Sequence, residues 1–369
     1  VEAAASTGGE IAPPIMGAAA FILAQMANIP YATVAKSAII PAILFFLGVY
    51  VAVDLESLRL RLTGLPREKL PRIGAVIKEG ILFALPVLIV FYMIFVGYTP
   101  IKAGVYAFFA TIAVCYLRKS TRLPLKNLVD SLIQSSCNLA PVAVSCGIAG
   151  IIIGVITLTG IGIKFTDLVI ILSKGNLFLA LLLSMVVAII LGMGMPPSAA
   201  YIIEAVLVAP ALIKLGVQPL AAHFFIFYYT VMSAITPPVA VSAFAAAAIS
   251  GSNPIKVGWV AVRLGLPGLI VPFVFVYAPE ILLQTEFHFS AVFTIITAIL
   301  GVVALAIGGA GFLKSHISWP MRVLFLASAC LLIVPVIWVS IIGIALFAAC
   351  LFYELAYKPQ QKKLQPKNA

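Results

Sequence analysis

The residues best suited to chemistry lie where apolar helices have to break. Residues 192–198 read Gly192-Met-Gly-Met-Pro-Pro-Ser198, and two glycines followed by two adjacent prolines cannot continue a helix. Inside a bilayer such a break survives only where it is buried in protein or lines an aqueous cavity. The freed carbonyls can coordinate a cation, and the start of the next helix favours an anion. The hydroxyls of Ser198 and Ser242 add possible ligands. The alternative interpretation of this break is a plain kinked helix or loop without a binding role.

Two more breaks share one pattern. The second break, 233–239, reads Ser233-Ala-Ile-Thr-Pro-Pro-Val239 and interrupts the apolar stretch 219–250, which is too long for one span of about 20 residues. The first break, 6–14, reads Ser6-Thr-Gly-Gly-Glu-Ile-Ala-Pro-Pro14. An offset of 224 residues places Pro13-Pro14 on Pro237-Pro238. A half-helix of small residues, a turn with Asn and a full apolar span follow each break, which indicates an internal repeat.

Three charged residues in or beside the apolar stretches are functional candidates. Glu204 follows the break at 192–198 inside an apolar arm, and a carboxylate at that depth is a functional candidate because its burial is costly. It could bind substrate, a cation or a proton, pair with Lys214, or face a water-filled crevice. Glu10 either belongs to an ion site or only lines a vestibule. Arg263 could meet a substrate carboxylate, but its place near a span end favours snorkelling to the interface.

The composition excludes most soluble functions. Of 369 residues, 63% are hydrophobic and only 9% are charged, and the mean hydropathy is +1.19. Soluble domains carry about a quarter charged residues, and disordered chains carry more charge still. Five cysteines without a CxxC spacing indicate apolar packing rather than a metal cluster. The chain carries no P-loop, GxSxG or HExxH motif, so we expect no enzyme and no cofactor.

The apolar stretches predict an all-α polytopic membrane protein. They are 11–26, 36–53, 80–98, 101–117, 138–160, 176–191, 199–213, 219–250, 257–278, 288–309, 320–335 and 337–355, with a shorter, interfacial helix at 163–173.

Basic residues orient these spans. Of the 23 basic residues, 14 fall in three short stretches, and the positive-inside rule places all three in the cytoplasm together with the C-terminus. This placement explains the net charge of +11 without a nucleic-acid partner. The 14 residues are Arg59, Arg61, Arg67, Lys69, Arg72, Lys78, Arg118, Lys119, Arg122, Lys126, Lys358, Lys362, Lys363 and Lys367.

The orientation predicts a re-entrant hairpin with its tip at 192–198, which we call the hairpin tip. Its arms, 176–191 and 199–213, are shorter than the roughly 20 residues of a full crossing. Two full spans satisfy the parity as well, but the arm lengths favour the hairpin. The half-helix after the first break must end outside and the one after the second break inside, so the two units are inverted. Broken helices in inverted repeats point to a secondary transporter with its site at the membrane midplane.

The repeat also suggests how the chain divides. Residues 1–53 hold the second part of the first repeat, 54–137 a basic cytoplasmic loop with scaffold helices, and 138–280 the second repeat. Residues 281–369 hold additional membrane helices and a basic tail. Because the first repeat has no hairpin of its own, we expect that hairpin upstream of Val1, which makes the sequence look like a C-terminal fragment.

The first break, the hairpin tip and the second break, in this order along the chain, resemble the large membrane subunit of TRAP transporters (tripartite ATP-independent periplasmic transporters). The resemblance covers about residues 1–280 and is nearest to permeases in which the small and large subunits are one chain, often served by a TAXI-type binding protein. It implies an elevator mechanism in a bacterial or archaeal cytoplasmic membrane, driven by a sodium gradient. It also implies a periplasmic binding protein, a small membrane subunit fused upstream, and an organic acid such as a dicarboxylate, 2-oxoglutarate or glutamate as substrate.

The resemblance implies roles for particular residues. At one sodium site, backbone and hydroxyl groups come from the hairpin tip and from the second break facing it. The first break contributes half of the other sodium site. The residues are Gly192, Gly194, Pro196 and Pro197 at the tip, Ser233, Thr236 and Pro237 at the second break, and Thr7, Gly8, Gly9, Pro13 and Pro14 at the first. Ser198, Ser242 and Glu204 are the candidate substrate ligands.

Other functions remain open. A stand-alone sodium/dicarboxylate symporter would have similar hairpins, and the need for a binding protein separates it from a TRAP permease. A membrane scaffold without transport gains nothing from unsatisfied backbone at midplane. An intramembrane enzyme would need a cluster of acid and base residues, and the sequence shows none.

Overall fold

The computed structural model describes residues 1–62, 64, 66–117, 121–284 and 289–357. Most of the described chain is helical, as the apolar stretches predict, and the described residues contain no β-strand beyond an isolated bridge of Phe312 with His316. Six residues of the basic stretches lie outside the described residues: Arg118, Lys119, Lys358, Lys362, Lys363 and Lys367.

The described residues form 18 α-helices. They are α1 (Glu2–Gly9), α2 (Ala18–Met26), α3 (Tyr31–Ser37), α4 (Ile39–Arg59), α5 (Ile73–Phe95), α6 (Pro100–Leu117), α7 (Leu125–Thr159), α8 (Ile161–Ser173), α9 (Leu177–Gly192), α10 (Pro197–Leu207), α11 (Ala209–Lys214), α12 (Pro219–Ser233), α13 (Val241–Ser250), α14 (Pro254–Leu264), α15 (Leu266–Tyr277), α16 (Phe289–Ala310), α17 (Trp319–Ile333) and α18 (Ile337–Phe352). Short 3₁₀ helices occupy Arg67–Lys69 and Pro279–Leu282, and a π turn occupies Tyr353–Tyr357.

Local chemistry sets several helix ends. Asn253 caps α14, because its side-chain oxygen accepts the Lys256 N–H at 3.1 Å, and Asn176 caps α9 in the same way. Pro254 then occupies the first turn of α14, where a missing N–H costs nothing. Gly160 closes α7 in the left-handed region at φ 66°, which glycine adopts without strain.

The helices confirm an all-α polytopic membrane protein. Within the described residues, six helical stretches are long and apolar enough to cross a bilayer, and the number becomes seven if the bent pair α14–α15 forms one span. The predicted span 257–278 is in fact divided at Gly265, with a bend of 41° between α14 and α15. The predicted span 138–160 is the second part of α7, which begins earlier, at Leu125.

The two arms of the predicted hairpin differ in length. Helix α9 has 16 residues, too few for a simple crossing, whereas Pro197–Lys214, formed by α10 and α11, has 18 and is long enough to cross. The helical arms are therefore confirmed, and their re-entrant placement stays a prediction. The short helix predicted at 163–173 is α8, and its interfacial placement also stays a prediction.

Helix α12 forms the centre of the core. Every residue from Leu220 to Ser233 is buried. Its aromatic side chains meet those of α15 edge to face, with ring centroids 5.4 Å apart for Phe225 and Phe273 and 6.2 Å apart for Phe224 and Phe275. Helix α9 packs along another side of α12, so the helix that leads into the second break is enclosed by protein.

The two predicted repeats interlock. Helix α1 packs against α4, α13 and α14, and α2 packs against α10 and α12. Helix α16 runs along α4, where a Cβ at Gly48 would collide with Pro267 and Val302. The close approach at Gly48 ties a C-terminal helix to both repeats. Helices α5, α6 and α7 carry most of their apolar side chains on the outside, as expected for surfaces that face lipid.

Candidate functional site

The hairpin tip is a sharp turn between two helices. Helix α9 ends at Gly192, and α10 begins at Pro197 with Pro196 as its N-cap residue. Gly194 lies in the left-handed region at φ 78°, which a residue with a Cβ rarely adopts. The glycines and prolines thus end and restart the helix where the sequence predicts.

The second break separates α12 from α13. Ser233 ends α12, and its hydroxyl donates to the Thr230 carbonyl at 2.6 Å. The Thr236 hydroxyl donates to the Met232 carbonyl at 2.8 Å, so both side chains satisfy carbonyls of the last helical turns. Pro237–Pro238, a cis peptide bond, follows before α13 begins at Val241.

The structure brings the hairpin tip and the second break together. A Cβ added at Gly192 would lie 2.5 Å from the Ser233 hydroxyl oxygen, and one at Gly194 would lie 3.3 Å from the Val239 side chain. Only glycine permits this approach at position 192. Pro237 faces Gly258 of α14, where an added Cβ would be 2.9 Å from its ring. The facing arrangement expected for these two segments is therefore present, while their roles as sodium ligands stay predictions.

The first break has a different surrounding. Thr7 is buried and its hydroxyl donates to the Ala3 carbonyl at 2.7 Å, while Gly8 packs against the ring of Phe45. Gly9 has open space where a Cβ would be. Glu10 is partly buried, and its side chain lies over Gly17 at the start of α2. Pro13–Pro14 is a cis peptide bond.

Tyr31 lies in hydrogen-bond contact with the first break. It was not identified from the sequence. Its hydroxyl lies 2.7 Å from the Pro14 carbonyl oxygen and 2.8 Å from that of Ile15, in position to donate to either. These are carbonyls that the break removes from a regular helix. A buried tyrosine after a Pro-Pro break is a usable signal, since its hydroxyl needs a buried partner.

The two serines predicted as substrate ligands lie in different settings. Ser198 is buried in the first turn of α10, and the Cys146 thiol of α7 donates to its hydroxyl at 3.8 Å. Cys146, which sequence reasoning treats as packing alone, thus contacts the hairpin tip. Ser242 is half-buried at the start of α13, where its N–H donates to the Ala234 carbonyl at 3.0 Å. Substrate binding by either serine stays a prediction.

Glu204 lies in the protein core with 0% of its surface exposed. The Thr230 hydroxyl of α12 donates to its Oε2 atom. Its Oε1 atom has no hydrogen-bond partner within the described part of the chain, and it points toward Gly192, where an added Cβ would lie 3.3 Å away. The pairing with Lys214 that the sequence left open is not formed, because Lys214 lies 3.4 Å from Asp167 of α8 instead.

A second polar contact joins the same two helices. Tyr201 of α10 and His223 of α12 are buried, and the tyrosine oxygen lies 2.7 Å from the His223 Nδ1 atom. Tyr201 and Glu204 are three residues apart on α10, so they share one face of that helix. That spacing is the signal by which a polar α10–α12 contact could have been found from the sequence.

Arg263 is held in an ion-pair cluster. Its Nη2 atom lies 2.6 Å from the Glu56 Oε1 atom, and Arg59 contacts the same oxygen at 2.6 Å. Snorkelling of Arg263 to the interface stays a prediction, and α4 supplies a carboxylate that pairs with its guanidinium group. The cluster links the two predicted repeats through α4 and α14.

The family model for the DctM component of the tripartite ATP-independent periplasmic transporters matches residues 1–289. The chain belongs to this family. The match confirms the resemblance to the large membrane subunit of TRAP transporters, and the chain is thus a multi-pass membrane permease component. DctM is a family of transporters and not of enzymes, which fits the expectation of no catalysis. No curated protein matches the chain.

The matched residues contain everything predicted to carry transport. Both breaks and the hairpin tip fall within 1–289. Helices α17 and α18 lie beyond the match, and α16 begins at its last residue.

Proposed function

We propose that the chain is the membrane permease component of a sodium-gradient-driven importer of organic acids that depends on a periplasmic substrate-binding protein. The observation that carries this proposal is the contact of the hairpin tip with the second break in a chain of the DctM family. Two helix interruptions that meet inside a membrane protein bring backbone carbonyls and helix starts to one place, which is how many secondary transporters bind ions and anions.

The contact between these two segments gives each a role in the proposal. Sodium would bind to backbone oxygens of the hairpin tip, together with oxygens of Ser233 and Thr236. The substrate carboxylate would bind near the starts of α10 and α13, because unpaired N–H groups and the helix dipole favour an anion there. Ser198 and Ser242 each lie in the first turn of one of those helices. The helices around the tip would move together as an elevator.

The first break would contribute to a second sodium site. Thr7, Gly8 and Gly9 end α1, and the Pro13-Pro14 segment follows, in the arrangement that repeats at the second break. The open space beside Gly9 supports this proposal, because a ligand or another segment can approach the backbone there.

The remaining parts of the proposal concern partners and location. The tripartite architecture of the family implies a periplasmic binding protein, for which we propose the TAXI type, and a small membrane subunit. The location would be the cytoplasmic membrane of a bacterium or archaeon, with the C-terminus in the cytoplasm, since the basic residues flank the ends of spans.

Uptake into proteoliposomes tests the proposal. The permease is reconstituted with and without the neighbouring binding protein, and entry of labelled 2-oxoglutarate or glutamate is followed with and without an inward sodium gradient. Uptake that needs both supports the proposal. Uptake that needs sodium alone favours a stand-alone symporter, and no uptake by folded protein with a panel of organic acids contradicts it.

A further inference from the structure

The carboxyl group of Glu204 lies where three segments of the site meet. It belongs to α10, its Oε2 atom accepts from Thr230 of α12, and its Oε1 atom points toward Gly192 at the end of α9. The Ser233 hydroxyl oxygen borders the same space, 2.5 Å from where a Cβ at Gly192 would be. Both α9 and α12 therefore end beside the free carboxyl oxygen.

The Glu204 Oε1 and Ser233 Oγ atoms both border this space, and the Ser233 proton is directed to a carbonyl elsewhere. Oε1 has no hydrogen-bond partner within the described residues, although it is buried. The Ser233 hydroxyl uses its proton on the Thr230 carbonyl, so its oxygen presents only lone pairs. A buried carboxylate without a partner is very costly, so the Glu204 carboxyl group either holds a proton or faces a cation. The lone pairs of the Ser233 oxygen beside it suit a cation that both oxygens contact.

Within the described residues no basic side chain forms an ion pair with Glu204. Lys214 of the same arm pairs with Asp167, and Arg263 pairs with Glu56. A cation from solution can fill the role, and oxygen ligands of carboxylate and hydroxyl type suit a hard cation such as sodium.

We propose that the Glu204 Oε1 and Ser233 Oγ atoms, beside Gly192, bind the coupling sodium ion. The inference rests on the proposed sodium coupling and deepens it by assigning the ion a carboxylate ligand. A carboxylate neutralises the ion, so this part of the loaded site carries no net charge through the membrane. The ion also joins the end of α9 to α10 and α12, which closes the hairpin tip onto the second break.

Thr230 is the positioning residue in this arrangement. Its hydroxyl holds Oε2, so Oε1 turns toward Gly192 and Ser233. Thr230 is buried and lies one helical turn before Ser233, and the Thr230 hydroxyl also contacts the Ile226 carbonyl at 3.0 Å. The side-chain orientation of Glu204 is therefore set before any ion arrives.

Sodium dependence of uptake tests the assignment in the full chain with its binding protein. Sodium is varied against choline, and the half-saturating sodium concentration is measured for wild type, Glu204→Gln and Glu204→Asp. We expect Gln to raise that concentration about tenfold or more, since it removes a buried charge partner, and Asp to have a smaller effect. Glu280→Gln, in the 3₁₀ helix Pro279–Leu282, is the matched control and should leave it unchanged.

A glutamate that only accepts the Thr230 hydrogen bond gives a different result. Glutamine can accept the same bond, so an unchanged half-saturating sodium concentration in Glu204→Gln overturns the inference. Should that variant fail to fold, Thr230→Val keeps the carboxylate but removes its orienting donor. A raised half-saturating concentration in Thr230→Val supports the inference, and an unchanged one overturns it.

Sodium binding without transport separates this inference from the proposed function. Thermal unfolding of the detergent-solubilised chain is compared in sodium and choline chloride. Stabilisation by sodium in wild type that is smaller or absent in Glu204→Gln supports the site even if uptake proves independent of a sodium gradient. Such independence would contradict the proposed function alone. No difference between the two salts in wild type overturns the site.

Discussion

At the scale of single residues, the site depends on a position without a side chain as well as on individual hydroxyl groups. Gly192 has no side chain, and this lets the backbone at the end of α9 approach Ser233 and Glu204. Tyr31 and Thr230 each add one hydroxyl to a buried acceptor at or beside a break. These contacts let irregular backbone and a carboxyl group persist in an apolar interior.

Gly192→Ala should uncouple the hairpin tip from the second break. The added methyl group would collide with the Ser233 hydroxyl, so the two segments must separate. We expect binding-protein-dependent uptake in proteoliposomes to fall about tenfold or more, because ligands held on the two segments lose their mutual geometry. Gly154→Ala in α7 is the control, since a Cβ there meets open space, and equal losses in both variants would refute the argument.

Tyr31→Phe should destabilise the first break. The change removes the hydroxyl beside the Pro14 and Ile15 carbonyls and leaves buried acceptors without that donor. We expect unfolding in detergent to require about 1–3 kcal/mol less free energy. Tyr50→Phe, on an exposed tyrosine of α4, should leave the free energy of unfolding unchanged. No change in Tyr31→Phe either would show that the Tyr31 hydroxyl does not stabilise the break.

At the scale of elements, the helices explain which parts of the site are rigid. Helix α12 is enclosed by α9, α10 and α15, so the second break starts from a fixed end. Helix α14 is anchored at Glu56 of α4 through Arg263. The arms of the hairpin are likewise joined to α12 by the Tyr201–His223 and Glu204–Thr230 contacts.

The Glu56–Arg263 contact should be energetically coupled. Glu56 is buried and accepts from both Arg59 and Arg263, so the loss of its charge leaves two guanidinium groups close together. A double-mutant cycle with Glu56→Gln and Arg263→Met, measured by unfolding in detergent, should give a coupling energy of about 1 kcal/mol or more. Additive effects would show that α4 and α14 are held by packing alone. The exposed pair Lys214–Asp167 is a suitable comparison, with an expected coupling below about 1 kcal/mol.

Sequence patterns predicted the elements better than the contacts between them. Apolar length located the helices, and the Gly and Pro positions located the hairpin tip and both breaks, because these signals are local. The partners of the site residues are not local: Cys146 meets Ser198 across 52 positions, and Glu56 meets Arg263 across 207. Such pairings depend on which helices pack against each other, and the hydrophobic periodicity of a sequence does not determine that. The division at Gly265 was missed because the apolar run continues through it.

At the scale of the whole molecule, the ion pairs are consistent with the predicted assignment of chain segments to the two sides of the membrane. Lys214, at the end of α11, meets Asp167 of α8 on the side that the span parity places outside. Arg59, Glu56 and Arg263 meet at the ends that the positive-inside rule places in the cytoplasm. Two distant parts of the sequence thus share each side, as the predicted orientation requires.

Cysteine labelling tests this orientation. In a variant without the five native cysteines, Lys214→Cys should react with a membrane-impermeant maleimide in cells whose outer membrane alone is permeable. Arg61→Cys should react only after the inner membrane is opened, because Arg61 belongs to a basic stretch. Labelling of Arg61→Cys from outside, or of both equally, would contradict the orientation.

The length of α7 has a further consequence. Its 35 residues extend about 52 Å at ~1.5 Å each, well beyond the roughly 30 Å of a bilayer's hydrocarbon. The helix therefore either tilts or carries its first turns, with Lys126 and Asp130, out of the lipid. Since Cys146 of α7 contacts Ser198 at the hairpin tip, any tilt is transmitted to the tip. The acyl-chain length of the lipids sets the thickness of the bilayer and therefore any tilt of α7. Bilayers of different thickness should change the geometry at Ser198 without any change in sequence.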